Sequence, residues 1–178
     1  MNKMDGEQMT LAEVAKNEAQ KFFHGNVMGA VTNLHPISDL FPYSETWDVN
    51  SWDNTWCAAF VYFCVKKAGY DLPVRHEHEA VSCNFAGCGA WDEWAKLPEI
   101  NYWISRDEQS QIGDIVLFDR IFENKEHDHI AIIVDVCDSY ITTAEGNFNN
   151  VSAIVRRTYE NVRGYIRLPV HQNRMDGE

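Results

Sequence analysis

Long hydrophobic runs are missing from this 178-residue sequence. The longest apolar stretch, Trp56 to Val65, is far short of the roughly 20 residues that a membrane-spanning helix needs. The amino-terminal stretch MNKMDGEQMTLAEVAKNEAQ also lacks the apolar segment of a secretory signal. We therefore expect no membrane insertion. We expect a protein that is stored in the cytoplasm, is released by a non-standard route, or is cut from a longer precursor.

Positive charge is scarce. The chain has 15 Lys and Arg residues against 27 Asp and Glu residues, so its formal net charge is −12. Non-specific nucleic-acid binding depends on neutralising phosphates, so this balance argues against a nucleic-acid partner. It also provides no attraction to an anionic membrane or wall polymer. Cysteines are few as well: five are too few for a disulfide scaffold, and the odd number leaves at least one thiol unpaired.

Helical patterns occupy the first part of the chain. Thr10 and Glu13 form a capping-box pattern at the start of the first helix. Residues 24–51 have no regular period, which indicates a loop with one short helix at most. Helices are predicted over Thr10–Phe23, about Thr55–Ala68 and about Gly89–Lys96.

After Gly113 the pattern changes to short strands. Five are predicted, with the sequences DIVLFDR, HIAIIVDV, YITTAEGN, AIVRRTY and VRGYIRLP. Helices in one half and consecutive strands in the other predict an α+β fold, with the helices packed on an antiparallel sheet of five to six strands. The composition is 45% hydrophobic and 12% aromatic, and no linker or repeat interrupts it, so we expect one domain over residues 1–178 with its core at about 10–170.

The stretch DNTWCAAFVYFCVKKAG places Cys57 in the first turn of the second predicted helix. With Asn54 or Asp53 as the cap, Cys57 lies near unpaired backbone N–H groups and the positive end of the helix dipole. This location lowers the pKa of a thiol, and the thiolate is the nucleophilic form. Cys64 lies two turns deeper, without that help. Cys57 is therefore a candidate nucleophile, and a small buried core residue is the alternative.

A histidine and two polar residues are candidates for the rest of a catalytic site. If a three-residue CDS loop joins the second and third strands, Val136 pairs with Tyr140 and His129 lies opposite Asn147. His129, Glu145 and Asn147 then share one face of the sheet. A two-residue loop would shift the register and separate them. His129 would be the general base, and either Glu145 or Asn147 could hold its imidazole in the required orientation.

These motifs together resemble a known family. NTWCAAFVYFCVKKAG resembles the nucleophile helix of CHAP domains, the cysteine, histidine-dependent amidohydrolase/peptidases of the NlpC/P60 superfamily. IGDIVLFD, HDHIAIIVDV and AEGN follow in the family's order, and VRGYIRLP resembles its closing strand. The resemblance covers about Leu11 to Pro169 and implies a papain-like fold. It also implies these catalytic residues: Cys57 as nucleophile, His129 as base, Glu145 as the acidic third member and Asn147 as an accompanying polar residue.

The resemblance further implies a reaction and a substrate. It points to bacterial or phage cell-wall degradation by a thiol peptidase or amidase that forms a thioester acyl-enzyme on peptidoglycan or a muropeptide. We expect an N-acetylmuramoyl-L-alanine amidase ahead of an endopeptidase, acting as a monomer. The backbone N–H of Cys57 is a natural oxyanion donor, with Asn54 or Asn50 as the second. A silent domain that binds wall peptides or a partner protein, and a thiol amidase acting on a non-wall substrate, stay open as alternatives.

Other residues compete for, or add to, these roles. His127 is an alternative base, but it lies in the charged loop NKEHD, where exposure to solvent is expected. Trp52, Asn54 and Trp91 are the candidate substrate-binding residues, because indole presents a flat face to a sugar or peptide.

No cofactor is expected. Asp48 and Asn50 provide too few oxygen ligands for a convincing calcium site. Two histidines and two cysteines form a candidate zinc set with non-standard spacing: His76, His78, Cys83 and Cys88. A Cys83–Cys88 disulfide is an alternative for a protein that works outside the cytoplasm.

Overall fold

In the part of the chain that the structure describes, helices pack on one β-sheet. The computed structural model describes residues 8–26, 31–41 and 56–170. The helices within these ranges are α1 (Leu11–Ala19), α2 (His35–Ser38), α3 (Cys57–Lys67) and α4 (Cys88–Ala95). The strands are β1 (Trp103–Ser105), β2 (Ile115–Phe118), β3 (His129–Val136), β4 (Ile141–Phe148), β5 (Val151–Arg157) and β6 (Val162–Ile166). In this part of the chain no helix is long and apolar enough to cross a bilayer.

The sheet has six strands in the order β1-β6-β2-β3-β4-β5, and every pairing is antiparallel. The predicted α+β class is confirmed, and so are the five predicted strands. β1 was not predicted, because its three residues are too few to show a period of two. The last strand, β6, lies between β1 and β2, so sequence neighbours are not always sheet neighbours.

The capping box of α1 is confirmed. The Thr10 hydroxyl accepts a hydrogen bond from the backbone N–H of Glu13, and the Glu13 carboxylate accepts one from the backbone N–H of Thr10. The helix ends at Ala19 rather than at the predicted Phe23. Phe22 has a φ of +56°, which a continuing right-handed helix does not allow.

Helix α3 is almost wholly buried and carries Cys57 as its first residue. Trp56 is its N-cap and makes no side-chain capping hydrogen bond within the described residues. The predicted cap residues, Asn54 and Asp53, lie outside the described ranges. The indole Nε1 of Trp56 instead donates a hydrogen bond to Asn150 Oδ1 at 2.9 Å. This bond ties the start of α3 to the turn between β4 and β5.

Gly146 allows α3 to lie directly on β4. A Cβ atom at Gly146 would stand 2.3 Å from Phe60 Cβ and 2.9 Å from Trp56 Cζ3, both of which belong to the start of α3. Real Cβ contacts are never that short, and Phe60 Cβ cannot turn away because it is attached to the helix backbone. The absence of a side chain at Gly146 therefore sets how closely the helix that carries Cys57 approaches the sheet.

The β3–β4 hairpin differs from the prediction at its turn and agrees with it further along. Val136 pairs with Ile141 instead of Tyr140, so the loop is one residue longer than the predicted CDS loop. A bulge between Ile133 and Asp135 then adds one residue to β3. The two deviations cancel, and Ile132 pairs with Ala144, which is the predicted register.

Replacing Gly146 by alanine tests this close approach. We expect Gly146→Ala to lower the free energy of unfolding by about 1–3 kcal/mol or more, because α3 or β4 must shift to admit a methyl group. Chemical denaturation followed by circular dichroism measures the change.

Gly89→Ala is the matched control. A Cβ there meets nothing nearer than His127 Nδ1 at 3.9 Å, and Gly89 is helical. This variant should keep its stability or gain up to about 1 kcal/mol. Equal stability of the Gly146→Ala variant and the wild type would contradict the role given to Gly146.

Candidate active site

Three predicted catalytic residues meet at the end of the sheet where β3 begins. Cys57 is the first residue of α3, His129 is the first residue of β3, and Glu145 lies in β4. Cys57, His129 and Asn147 line a cavity of about 460 Å³. Its other walls are the start of α4 and residues of the loop between β2 and β3. A volume of this size lies in the range of small-ligand sites.

The imidazole of His129 is held on both sides and is only 1% exposed. Its Nε2 is hydrogen-bonded to Glu145 Oε2 at 2.8 Å. Its ring stacks near Phe118, with 6.2 Å between centroids, and meets the edge of Phe122 at 5.0 Å. Since Nε2 is engaged by the carboxylate, Nδ1 is the nitrogen left for Cys57.

Glu145 is fully buried and has more partners than the histidine. Thr143 Oγ1 donates to Oε1 at 2.6 Å. Arg157 donates twice, from Nε to Oε1 at 2.7 Å and from Nη2 to Oε2 at 2.8 Å. Such a two-pronged arginine contact is a strong, directional way to hold a carboxylate. Glu145, rather than Asn147, therefore orients His129.

Arg157 was missed in the sequence analysis. Its guanidinium lies 5.6, 5.3 and 5.8 Å from the ring centroids of Phe118, Phe122 and Phe148. The preceding residue, Arg156, lies over the ring of Tyr140 instead, at 4.1 Å. Neighbouring strand residues point to opposite faces, so only the β4–β5 register selects which arginine reaches Glu145. The sequence signal was the Arg-Arg pair, which does not distinguish the two.

The His129–Glu145 contact is an ion pair. Burial lowers the pKa of His129, but the charge of Glu145 and the hydrogen bonds of the ring outweigh it and raise the pKa to about 9. Burial likewise raises the pKa of Glu145, and the charge of His129 together with the Arg157 hydrogen bonds lowers it to about 2. At neutral pH the imidazolium and the carboxylate are both charged.

The Cys57 thiol lies beside this imidazolium, and its surroundings favour the thiolate form. Its pKa lies well below the ordinary value of 9.0. The largest cause is the hydrogen bond with Cys88, whose Sγ lies 3.6 Å from Cys57 Sγ. Burial alone would raise the pKa of Cys57, and the Cys88 hydrogen bond lowers it by more. The pKa is lowered further by the hydrogen bond and charge of His129 and by the backbone N–H of Ala58. Burial instead raises the pKa of Cys64, in the same helix, well above its ordinary value.

Asn147 lines the cavity without contacting the imidazole through any hydrogen bond found in the described ranges. It has a φ of +62°, and its Oδ1 is buried with no hydrogen-bond partner among the described residues. It therefore presents a free acceptor beside the reactive groups.

His127 is partly buried, although exposure to solvent was expected for this loop residue. It precedes β3, has a φ of +51°, and its Nε2 contacts Asp92 Oδ2. Its ring nitrogen is thus engaged by a carboxylate of α4. The structure places His129, and not His127, against Glu145.

Asp128 shapes the loop in front of the site. Its Oδ2 accepts hydrogen bonds from the backbone N–H groups of Ile121, Phe122 and Glu123. These bonds fold the loop back so that the ring of Phe122 covers His129. Phe122 is itself 48% exposed, so it forms an apolar rim to the cavity.

Of the three predicted substrate-binding residues, the structure describes only Trp91. Trp91 is fully buried, and its indole Nε1 donates a hydrogen bond to the backbone carbonyl of Phe85 at 2.9 Å. The indole also packs on the phenyl ring of Phe85. It is a core residue, and its assignment to a groove was wrong, because the helical period cannot tell a buried face from a groove wall. Trp52 and Asn54 lie outside the described residues.

The metal and disulfide alternatives are also changed. Within the described ranges no three His, Cys, Asp or Glu side chains gather as a metal site, so the candidate zinc set is not assembled. Asp48 and Asn50, considered for calcium, lie outside those ranges. All five cysteines are described and are free thiols, so the Cys83–Cys88 disulfide is not formed. The sulfur of Cys88 lies beside Cys57 instead.

One protein-family model matches the sequence. The sequence model of the CHAP domain matches residues 49–147, more than half of the chain. The chain belongs to the CHAP domain family. Cys57, His129, Glu145 and Asn147 lie inside the matched range of this CHAP domain, and Arg157 lies beyond it. CHAP domains are hydrolase-type domains. Comparison with curated proteins and with solved structures finds no significant match.

The ion pair makes the stability of the CHAP domain depend on pH. Glu145 has a lowered pKa, so its contribution is present above its ordinary pKa of 4.5 and is lost as the pH falls through about 2. His129 has a raised pKa, so its contribution is present below its ordinary pKa of 6.5 and is lost as the pH rises through about 9. Both contributions are complete between pH 4.5 and 6.5.

Glu145→Gln tests this dependence. We expect the variant to lose about 3–5 kcal/mol of unfolding free energy between pH 4.5 and 6.5, because His129 and Arg157 then lack their buried counter-charge. The difference in unfolding free energy between the variant and the wild type should become smaller toward pH 9, because His129 then loses its charge. Denaturant titrations at several pH values measure this difference. Glu160→Gln, at an exposed carboxylate, should differ little from wild type at any pH. A constant Glu145→Gln deficit would contradict the ion pair.

Proposed function

We propose that this CHAP domain is a cysteine-dependent peptidoglycan hydrolase that cleaves an amide bond through a thioester acyl-enzyme. The observation that carries the proposal is a helix-start thiol beside an imidazole that a buried carboxylate orients, with thiol and imidazole both lining one cavity. The family provides the substrate class. We further propose one catalytic domain of papain-like fold that acts on bacterial cell walls as a monomer, without a cofactor or a nucleic-acid partner.

The proposed acylation uses the charges described above. Cys57 Sγ, as the thiolate, attacks the carbonyl carbon of the scissile amide. The imidazolium of His129 donates its Nδ1 proton to the leaving amine, and the C–N bond breaks to leave a thioester on Cys57. Because the thiol proton already resides on the imidazole, no separate deprotonation precedes the attack.

Deacylation reverses these roles. The neutral His129 takes a proton from water, and the resulting hydroxide attacks the thioester carbonyl. The carboxylic acid product leaves, and Cys57 returns to the thiolate beside the imidazolium. Glu145 keeps the ring in one orientation through both steps, and Arg157 keeps Glu145 charged and fixed.

The start of α3 supports the negative charge that develops on the carbonyl oxygen. Cys57 is the first helical residue, so its own N–H has no partner within the helix and lies at the positive end of the dipole. This N–H is the proposed first oxyanion donor. Asn54 and Asn50, proposed for the second, lie outside the described residues.

Cys57→Ala tests the nucleophile. We expect release of new amines from purified cell walls to fall at least about 10³-fold, because the other thiol of α3, Cys64, is buried and does not line the cavity. Circular dichroism should show that the variant is folded.

Cys64→Ala is the matched control, because it removes a thiol from the same helix two turns further on. It should keep most of the activity, although the buried cavity lowers stability somewhat. Wall hydrolysis that persists in the folded Cys57→Ala variant would remove the proposal.

The bond that is cleaved requires a separate measurement. We propose the N-acetylmuramoyl-L-alanine bond ahead of bonds within the stem peptides. Mass spectrometry of a defined muropeptide panel should then show free intact peptides and sugars that keep their lactyl group. Shortened peptides that remain attached to the sugar would assign an endopeptidase instead.

A further inference from the structure

A second thiol lies beside the nucleophile. Cys88 Sγ is 3.6 Å from Cys57 Sγ, although the two residues are far apart in the chain and begin different helices, α4 and α3. We propose that Cys57 and Cys88 are a redox modification site that a peroxide converts to a reversible disulfide, which switches the hydrolase off. The loss of activity rests on the proposed function, whereas the formation of the disulfide does not.

The geometry leaves a short path to the bond. A disulfide is about 2.05 Å long, so the sulfur atoms must approach each other by roughly 1.5 Å. Cys88 lies between Gly87 and Gly89, and a Cβ on Gly89 would meet only open space out to 3.9 Å. The backbone on that side of Cys88 is therefore free of packed side chains that would resist a small movement.

A small oxidant can reach both sulfur atoms. Cys57 and Cys88 both line the cavity of about 460 Å³. Cys57 is 7% exposed, whereas Cys64 on the same helix is fully buried. Cys88 is more exposed than Cys57, but its pKa is raised by the hydrogen bond with Cys57 and by burial, whereas the same hydrogen bond lowers the pKa of Cys57. Oxidation is therefore expected to begin at Cys57, the better nucleophile of the two.

The chemistry balances with one peroxide. The Cys57 thiolate attacks one oxygen of hydrogen peroxide and forms a sulfenic acid, and the released hydroxide takes a proton from the His129 imidazolium or the solvent. The Cys88 sulfur then attacks the sulfenic sulfur of Cys57 and forms the S–S bond. The S–O bond breaks, and the leaving hydroxide takes the Cys88 thiol proton and departs as water. The two thiols lose two electrons and the peroxide is reduced to two waters. A dithiol reductant reverses the bond by exchange and is itself oxidised.

Cys83 is the competing partner for Cys88. Its Sγ lies against Gly87, only 2.7 Å from where a Cβ on that residue would stand. Cys137 is the remote comparison, because it follows the far end of β3, roughly 25 Å along the strand from His129. Replacing either residue leaves both proposed partners in place.

The test treats the full chain with a small excess of hydrogen peroxide, blocks free thiols by alkylation, and maps unreduced peptides by mass spectrometry. We expect a Cys57–Cys88 crosslink that forms in parallel with the loss of wall hydrolysis, and recovery of both thiols and activity with dithiothreitol. In the Cys88→Ser variant, no partner thiol traps the sulfenic acid, so Cys57 should be oxidised further to sulfinic acid. The activity of this variant after dithiothreitol should stay below the activity of the same variant before peroxide treatment. Cys83→Ser and Cys137→Ser should respond as the wild type does.

Each outcome bears on the proposal. A Cys83–Cys88 crosslink, an absent crosslink, or equal recovery of the Cys88→Ser variant and the wild type would overturn it. A Cys57–Cys88 crosslink in a protein that hydrolyses no wall substrate even when reduced would support the redox site and overturn the proposed function instead.

Discussion

The buried carboxylate of Glu145 is the constraint on which the site depends. It lies between the imidazolium of His129 and the guanidinium of Arg157, and all its hydrogen bonds come from protein groups within the described part of the chain. Burying such charges is costly, and their mutual attraction offsets that cost only when every member is present and well oriented. The carboxylate thereby holds one nitrogen of His129 and leaves the other for Cys57.

Three consecutive residues of β4 set the geometry of this site. Glu145 points to one side and orients His129. Gly146 faces the other side and lets α3, with Cys57 at its start, lie directly against the strand. Asn147 then lines the cavity, and its side-chain carbonyl oxygen has no hydrogen-bond partner in the part of the chain that the structure describes. Strand alternation thus links the position of the nucleophile helix to the position of the base within a single short segment.

The predicted placement of His129 and Glu145 on one face of the sheet holds because two deviations from the predicted hairpin cancel. The hairpin loop after Val136 is one residue longer than predicted, and a bulge in β3 restores the register before His129 is reached. A bulge depends on how strands pack on both faces, so a pattern of alternating residues does not reveal it. The presence of the helices, by contrast, was predictable from local period, and the start of α1 from the Thr10–Glu13 capping box, since both act within a few residues. The end of α1 was not, because the backbone at Phe22 leaves the helical region.

The sequence by itself determined the α+β class, the thiol at the start of a buried helix and the histidine that opens a strand, because each is encoded by neighbouring residues. Only the tertiary structure decided that Arg157 rather than Arg156 forms the hydrogen bonds with Glu145. It also decided that Trp91 belongs to the core and that Cys88 lies beside Cys57. These are contacts between elements distant in the chain. Register and packing select them, and no local periodicity records which of two adjacent residues, or which of several cysteines, will be brought to the site.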